Sequence, residues 1–545
     1  MNARTWTQQQ TAVFRWLDTP TARRALAVNA RAGTGKTSTI VEGLDHAPEV
    51  RGGGRVLLAA FNKRIASELE GRVPRGVRVS TLHALGYQAV IRAWGRMDRP
   101  NQDRGATIAG ALLQPHLPVG FTYANSSSWA TRKSPQAVEF NTLCGLVAKL
   151  AGVGKRTLTT DACDLADVAW SYDAEPSKEL IAAGWTTLRL ATLAVEAMQA
   201  ACEQSAAIDF DDMLWLPWAC GLAPQTFDLV VIDEAQDMNA AQLELAIAAV
   251  APGGRVVVVG DPRQAIYGFM GAASGAFERT RARLDALELP LSVTFRCPAS
   301  VVDAARVYVP DYQAAPGAPR GVVEMVPKLA HAVPRIAAGD FVLSRTNAGA
   351  VAACMALLRH GTRATVIGRD IGASIIARVK GFKRAYSVPD VILAARAWAL
   401  TEQQQAEAAG RPQRAERAAD MCETLITLAE GLDSVEALLA RIKGLFDEAA
   451  QVGQVACCTV HRSKGLEARA VWIIADSFRD SDSVEEQNLR YVAITRAIGS
   501  LHIVGEGPFG ACLQAAAAAP QMRLPDVTPF EEDFGPDHMT FDGTH

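Results

Sequence analysis

Between an apolar run, Ala25–Val28, and a helix-like segment, Thr37–Leu44, lies Ala30-Arg31-Ala32-Gly33-Thr34-Gly35-Lys36-Thr37. Such a turn constrains the fold more than any other part of the chain. Gly33 and Gly35 let backbone N–H groups turn inward, and the helix that follows points its positive end at whatever anion sits there. A strand that feeds a helix through an anion-binding turn implies a parallel sheet with helices packed on its faces. Short β-branched runs recur in that manner along the chain: Val56–Phe61, Leu229–Asp233, Val256–Asp261, Phe341–Ser344 and Val471–Ala475. They form two groups separated by a Pro/Gly/Ala-rich stretch, Val309–Pro334, which predicts two α/β domains rather than one large sheet.

Each group is interrupted. A helix-rich insert lies between Trp94 and Ala206, with a loop-like patch from Leu117 to Gln136. A second insert, roughly Lys380 to Gln451, reads as helical and polar, broken at Gly410-Arg411-Pro412. The tail after Pro520 is acidic and expected to fray. The predicted division is 1–94, 206–292 for the first α/β domain, with insert 95–205, then 293–379 and 452–519 for the second, with insert 380–451 and tail 520–545.

The chemistry begins with Lys36, whose charge suits β- and γ-phosphates, and Thr37, whose hydroxyl suits Mg²⁺. The backbone of Ala32, Gly33, Thr34 and Gly35 completes the cradle. Asp228-Leu229-Val230-Val231-Ile232-Asp233-Glu234 then delivers two adjacent carboxylates to the end of an apolar strand. Asp233 is expected to hold the magnesium, and Glu234 to orient and deprotonate the attacking water. A helix-cap cluster would account for the acids but not for their pairing with a phosphate loop. ATP with Mg²⁺, hydrolysed, is the reading of the pair.

The net charge is −3, from 55 basic and 58 acidic residues, so no global basic field draws a polyanion, and any nucleic acid must lie in a local groove. Ten cysteines include adjacent Cys457 and Cys458 but no Cys-x-x-Cys pair, which fits buried thiols in a reducing cytoplasm and lacks zinc-ligand spacing. The polar start, Met1–Gln10, has no apolar signal core, and no apolar run is long enough to span a bilayer. An intracellular location is expected, cytoplasmic or on the nucleoid, without a membrane partner.

Asp233-Glu234-Ala235-Gln236 resembles motif II of the UvrD/Rep/PcrA-like superfamily 1A DNA helicases, and further segments resemble the family's other motifs in order. Thr7–Gln10 is similar to the Q-motif, Phe61-Asn62-Lys63 to motif Ia, Ser80-Thr81-Leu82-His83 to motif Ib, and Gly260–Phe269 to motif III. Thr294-Phe295-Arg296 is similar to motif IV, Thr459-Val460-His461 through Lys464-Gly465-Leu466-Glu467 to motif V, and Arg490–Ala497 to motif VI. The resemblance covers both α/β halves and neither insert. It implies two RecA-like P-loop domains, each with a helical insertion, and an enzyme that couples ATP hydrolysis to 3′→5′ movement on single-stranded DNA and to strand separation at ss/dsDNA junctions. A loading protein is compatible with that picture but is not identified by it.

By the same resemblance Gln10 meets the adenine edge, Phe295 stacks on the base and Glu467 binds the ribose. Gln264 senses the γ-phosphate or its water, while Arg296 and Arg496 arrive from the second domain as charge-neutralising fingers, each competing with an ordinary salt-bridge role. Tyr267 and Phe269 are candidate base platforms, with core packing the alternative for Phe269. Asn62, His83 and His461 are candidate DNA-backbone contacts, each open to a purely structural reading.

Three departures stand out: Ala30 replaces the usual first loop glycine, Met270 the arginine that commonly closes motif III, and Phe61 directly precedes Asn62. The last, with the short second insert, resembles the compact F-box-helicase and phage-encoded branches. Two rival functions remain at this level, a translocase that strips proteins with poor unwinding and an ATP-gated DNA clamp. The stretch after Arg496 is expected to be too short for a fused nuclease.

Overall fold

The structure is a computed structural model that describes residues 5–19, 24–95, 100–116, 135–172, 174–203, 207–266, 275–382, 385–408, 412–446, 453–511 and 513. The first sheet contains β1 (Ala25–Ala30), β2 (Val56–Ala60), β3 (Val77–Thr81), β4 (Phe227–Ile232), β5 (Val250–Gly260) and β6 (Leu287–Leu291), in spatial order β3-β2-β4-β5-β1-β6. A two-stranded ribbon follows, β7 (Val293–Thr294) with β8 (Gln313–Ala314). The second sheet contains β9 (Val322–Val326), β10 (Phe341–Ser344), β11 (Ala364–Val366), β12 (Val455–Thr459), β13 (Ala468–Ile474) and β14 (Ala497–Val504), ordered β11-β12-β10-β13-β14-β9. Every strand pairing among the described residues is parallel. The fold is thus the expected α/β class with parallel sheets flanked by helices.

Parallel strands buried on both faces read as continuous apolar runs, and the period of two then sorts them. Val28, Leu58, Val231 and Val257 pack under the helices Gln8–Asp18 and Lys36–His46. Their neighbours Ala27, Leu57, Val230 and Val258 pack against Leu85, Leu214 and Leu245 on the opposite face. In the second sheet the same alternation sends Cys457 to one core and Cys458 to the other, both buried as free thiols.

The first insert carries helices Pro135–Thr157 and Thr187–Glu203, whose core also takes in Val90, Trp215 and Leu216 from the helices flanking it. Arg104 and Lys155 pair with buried Asp212 at its base, Lys155 at 2.7 Å.

The second insert differs from the polar appendage expected of it. Leu425, Leu428, Leu438 and Ile442 share one core with Val342, Val366 and Trp472 of the sheet. Asp420 accepts hydrogen bonds from the backbone N–H groups of Asn347 (3.1 Å) and Ala348 (2.8 Å), at the start of helix Asn347–Arg359. An apolar stripe at helical spacing (Ala418, Cys422, Leu425, Leu428) turns inward and covers one face of the sheet. β9 is a second difference: it lies inside the stretch read as a separator and forms an edge of the second sheet. The acidic tail 520–545 and Met270 fall outside the described residues. Among the described residues no helix is long and apolar enough to cross a membrane.

Candidate active site

In the first sheet β1 and β4 both flank β5, so the turns after these three strands meet at one point of the carboxyl edge. From β1 comes the phosphate loop, from β4 Asp233 and Glu234, and from β5 Asp261 and Gln264. Lys36 Nζ lies 3.3 Å from Glu234 Oε2, and Thr37 Oγ1 donates to Asp233 Oδ2 at 3.3 Å. Glu234 adopts φ +53°, a left-handed conformation costing about 1–2 kcal/mol for a side chain with a Cβ. Its N–H donates to Asp233 Oδ1 at 2.9 Å, and Gln236 Nε2 donates to Glu234 Oε2 at 2.6 Å, which hold the turn.

Burial alone would raise both carboxyls. For Asp233 it does so, together with the Glu234 charge, up to about 6. For Glu234 the Lys36 ammonium and the Gln236 bond outweigh it and bring the group down to about 2. Glu234 is therefore a carboxylate at neutral pH, as activation of a water requires. Lys36 is held above its ordinary value: burial would lower it, but Glu234, Asp261 and Asp233 prevail.

A cleft of about 700 Å³ opens over this edge, and both lobes line it. Gly33, Gly35, Lys36, Thr37, Glu234 and Gln264 face Phe295, Arg296, Lys464, Glu467 and Arg496 across it. The second lobe reaches it through residues that immediately precede its strands: Glu467 before β13 and Arg496 before β14, set side by side by the Ala468–Ala497 register. Arg496 is 1% exposed and donates to Leu466 O (3.1 Å), Val492 O (3.0 Å) and Gln264 Oε1 (3.4 Å). Burial and the nearby Arg296 lower its pKa to about 10, so it remains a cation at neutral pH. Lys464 Nζ bonds Asp237 (2.6 Å) and Gln264 O (2.7 Å), docking the second lobe on motif II.

Gly33 shows how closely the lobes approach. It has φ +68°, and a Cβ there would lie 2.4 Å from Arg296 Cβ and 2.6 Å from Thr294 Oγ1. Phe295 N–H donates to Gly33 O at 2.9 Å. Phe295 itself is 51% exposed in the cleft, a large apolar face open to a planar base.

Several residues stand elsewhere than expected. Gln10 is buried beneath the loop: its Oε1 takes the Thr7 N–H (3.0 Å) in a capping box and its Nε2 donates to Thr39 Oγ1 (3.0 Å), so both ends of the amide are engaged within the first sheet's helices. The Ala32 N–H donates to Tyr491 Oη (2.8 Å) and its carbonyl accepts from Tyr312 Oη (2.9 Å), so this residue serves the second lobe rather than a phosphate. Thr34 is buried with its hydroxyl on Arg31 O (2.8 Å). Glu467 bonds Arg296 Nε at 2.7 Å, and that pair must open before the same oxygen meets a ribose.

Asn62 caps helix Lys63–Glu70, accepting the Ile65 N–H at 2.9 Å, and lines the nucleotide cleft beside Phe61. His83 and His461 are both half-buried, and burial lowers the imidazole pKa of each, His461 to about 3 with help from Arg345, Arg462 and Lys464. His461 is thus a neutral ring, not a cationic phosphate contact. Tyr267 and Phe269 lie outside the described residues. Residue-by-residue reading gave no role to Arg31, Asp311, Tyr312, Lys464 or Tyr491. Lys464 and Tyr491 lie within the motif V and VI segments, which is a signal; Asp311 and Tyr312 carry none.

Residues 7–285 match the family model described as the UvrD/REP helicase N-terminal domain. The chain belongs to the UvrD/REP helicase family. Residues 454–504 match a second model of this family, the UvrD-like helicase C-terminal domain. Among curated proteins the chain is similar to F-box DNA helicase protein 1 of Schizosaccharomyces pombe, 28% identical over 261 residues, 46% of this chain and 27% of that protein. It is 24% identical over 317 residues to ATP-dependent DNA helicase PcrA of Leuconostoc citreum, 53% of this chain and 37% of that one. ATP-dependent DNA helicase UvrD2 of Mycobacterium bovis is 26% identical over 278 residues, 46% and 36% of the two chains. The matched region spans little more than a third of these relatives at most.

Proposed function

We propose that this protein hydrolyses ATP with Mg²⁺ to move along single-stranded DNA, 3′→5′, separating strands at ss/dsDNA junctions. The observation that carries the reading is the cleft to which both lobes contribute charged side chains. Its volume suits a nucleotide. Thr37 and Asp233 offer two hard oxygen ligands within 3.3 Å of each other, which suits Mg²⁺ completed by phosphate and water oxygens. Bound there, the metal would neutralise charge between the β- and γ-phosphates.

In this scheme Lys36 holds the β/γ-phosphates, and their draw on its charge makes Glu234 more basic toward the attacking water. Gln264 orients that water, Arg296 and Arg496 neutralise the leaving charge from the other lobe, and Phe295 stacks on the base. Hydrolysis then depends on lobe closure, which couples nucleotide state to the grip on DNA. Tyr267 and Phe269, directly after the Gln264 segment, would form the base platform, with Asn62, His83 and neutral His461 nearer the backbone. A passive clamp needs none of the second-lobe arginines in the cleft. The relatives' names, DNA helicases of F-box, PcrA and UvrD2 type, support DNA as the track.

The test is strand displacement on duplexes with 3′ or 5′ single-stranded tails, with ATP and Mg²⁺, beside ATP turnover with and without single-stranded DNA. Unwinding confined to 3′-tailed substrates is expected. Turnover unaffected by DNA would overturn the reading, and stimulated turnover without displacement would leave a protein-stripping translocase.

A further inference from the structure

Arg31 stands inside the phosphate loop, yet its side chain is engaged away from the cleft. The guanidinium forks onto Asp311, with Nε 3.1 Å from both carboxylate oxygens and Nη2 2.8 Å from Oδ2. Nη1 donates to Asn29 Oδ1 at 2.9 Å and lies 3.6 Å from Asp261 Oδ1. Asp311 adjoins Tyr312, which packs in the second lobe's core; Asp261 immediately follows β5 of the first lobe and is fully buried.

Asp261 in turn sets Gln264. Its Oδ2 accepts from Gln264 Nε2 at 2.7 Å and from Tyr491 Oη at 3.3 Å, and the Gln264 oxygen faces Arg496. The polar path Asp311–Arg31–Asp261–Gln264–Arg496 therefore starts and finishes in the second lobe and passes through the phosphate loop. A buried carboxylate without a countercharge is costly. Lys36 also acts on Asp261, but in the proposed reaction its charge is committed to phosphates. Burial would lower the Arg31 pKa; Asp261 and Asp311 outweigh it and hold the guanidinium above its ordinary value.

We propose that Arg31 is a positioning residue for hydrolysis: through Asp261 it fixes the Gln264 carboxamide, and through Asp311 it makes that placement depend on the docked second lobe. The inference rests on Gln264 and Arg496 acting in hydrolysis as proposed above. Binding of ATP itself does not pass through this path, so the effect falls on kcat and not on KM.

Steady-state ATP turnover with saturating oligo-dT separates the two on the full chain: wild type, Asp311→Asn, Arg31→Gln, Arg31→Lys, and both Arg31 variants combined with Asp311→Asn. Asp311→Asn and Arg31→Gln should each lower kcat on the order of tenfold, with KM for ATP within about twofold, and the double variant should be no worse than Arg31→Gln. Arg31→Lys keeps a charge near Asp261 but loses the fork, so it should recover part of the rate and be insensitive to Asp311→Asn. Unchanged kcat in Asp311→Asn and Arg31→Gln overturns the proposal, as do losses that multiply in the double variant. A KM and melting temperature that fall out of range together with kcat would make Arg31 a folding residue only, which also overturns it. Wild type without DNA-stimulated turnover would overturn the reading of the site as well, whereas active wild type with silent variants rejects this inference alone.

Discussion

The two sheets offer opposite ends to the shared cleft. The first presents the carboxyl ends of β1, β4 and β5, beyond which lie Lys36 at the start of its helix, Asp233, Glu234 and Gln264. The second presents the starts of β13 and β14, where Glu467 and Arg496 stand immediately before the first strand residue. Carboxyl ends of parallel strands carry fanned loops and exposed N–H groups, which suit a bound polyanion. Among the described residues the second lobe carries no such cradle at the cleft; it contributes long cationic side chains that bridge the gap. On the proposed reading, one lobe holds the phosphates and the other completes a reaction the first cannot finish alone.

That division predicts unequal losses. Lys36→Ala, in the holding lobe, should abolish both tight nucleotide binding and ATP turnover; turnover near wild type would sink the assignment. Arg496→Ala, in the completing lobe, should lower turnover about 10³-fold while nucleotide titrations stay near wild type. If affinity collapsed with the rate, the two lobes would not differ in the way described. Glu234→Gln belongs with the arginine in its readout, losing hydrolysis with binding intact, because Asp233 and Lys36 remain.

Gly33→Ala probes the seam between them. The new Cβ meets Arg296 and Thr294 and must adopt φ +68°, so the lobes should part and the melting temperature should fall by a few degrees. DNA-stimulated turnover should drop more than nucleotide affinity does. An unchanged rate would show that the lobes need not approach this closely.

The smallest effects lie away from the nucleotide. Asp420→Ala removes the carboxylate that caps helix Asn347–Arg359 and should cost about 1 kcal/mol of stability, read by denaturant titration, without changing KM for ATP. His461 has a folded-state pKa of about 3, below its ordinary 6.5. The unfolded chain therefore binds more protons between those values, and stability contributed by the neutral ring is lost as pH falls through that window. His461→Gln should be less acid-sensitive in thermal melts than wild type, and equal acid sensitivity would contradict the buried neutral ring.

How much was legible beforehand follows the same line. The phosphate loop and Asp233-Glu234 are local: a few consecutive residues encode a strand, a turn and the groups on it, so their meeting at a carboxyl edge follows from the α/β pattern alone. The motif reading of Gln10 left out its part in the capping box with Thr7, a second and local use of the same amide. The second insert misled because its burial depends on the helical spacing of its apolar residues and not on its charged ones.

By itself the sequence determined the parallel α/β fold, the two groups of strands, and the side chains proposed to hold phosphate and metal. Those features arise from backbone propensity, apolar periodicity and glycine placement, all of which act over a few residues. Only the tertiary structure decided that Arg31 reaches Asp311, 280 residues away, that Tyr312 and Tyr491 clamp Ala32, and that Arg496 meets Gln264. Such contacts depend on how two finished lobes dock, and docking is set by the summed shape of both surfaces, which no short segment contains.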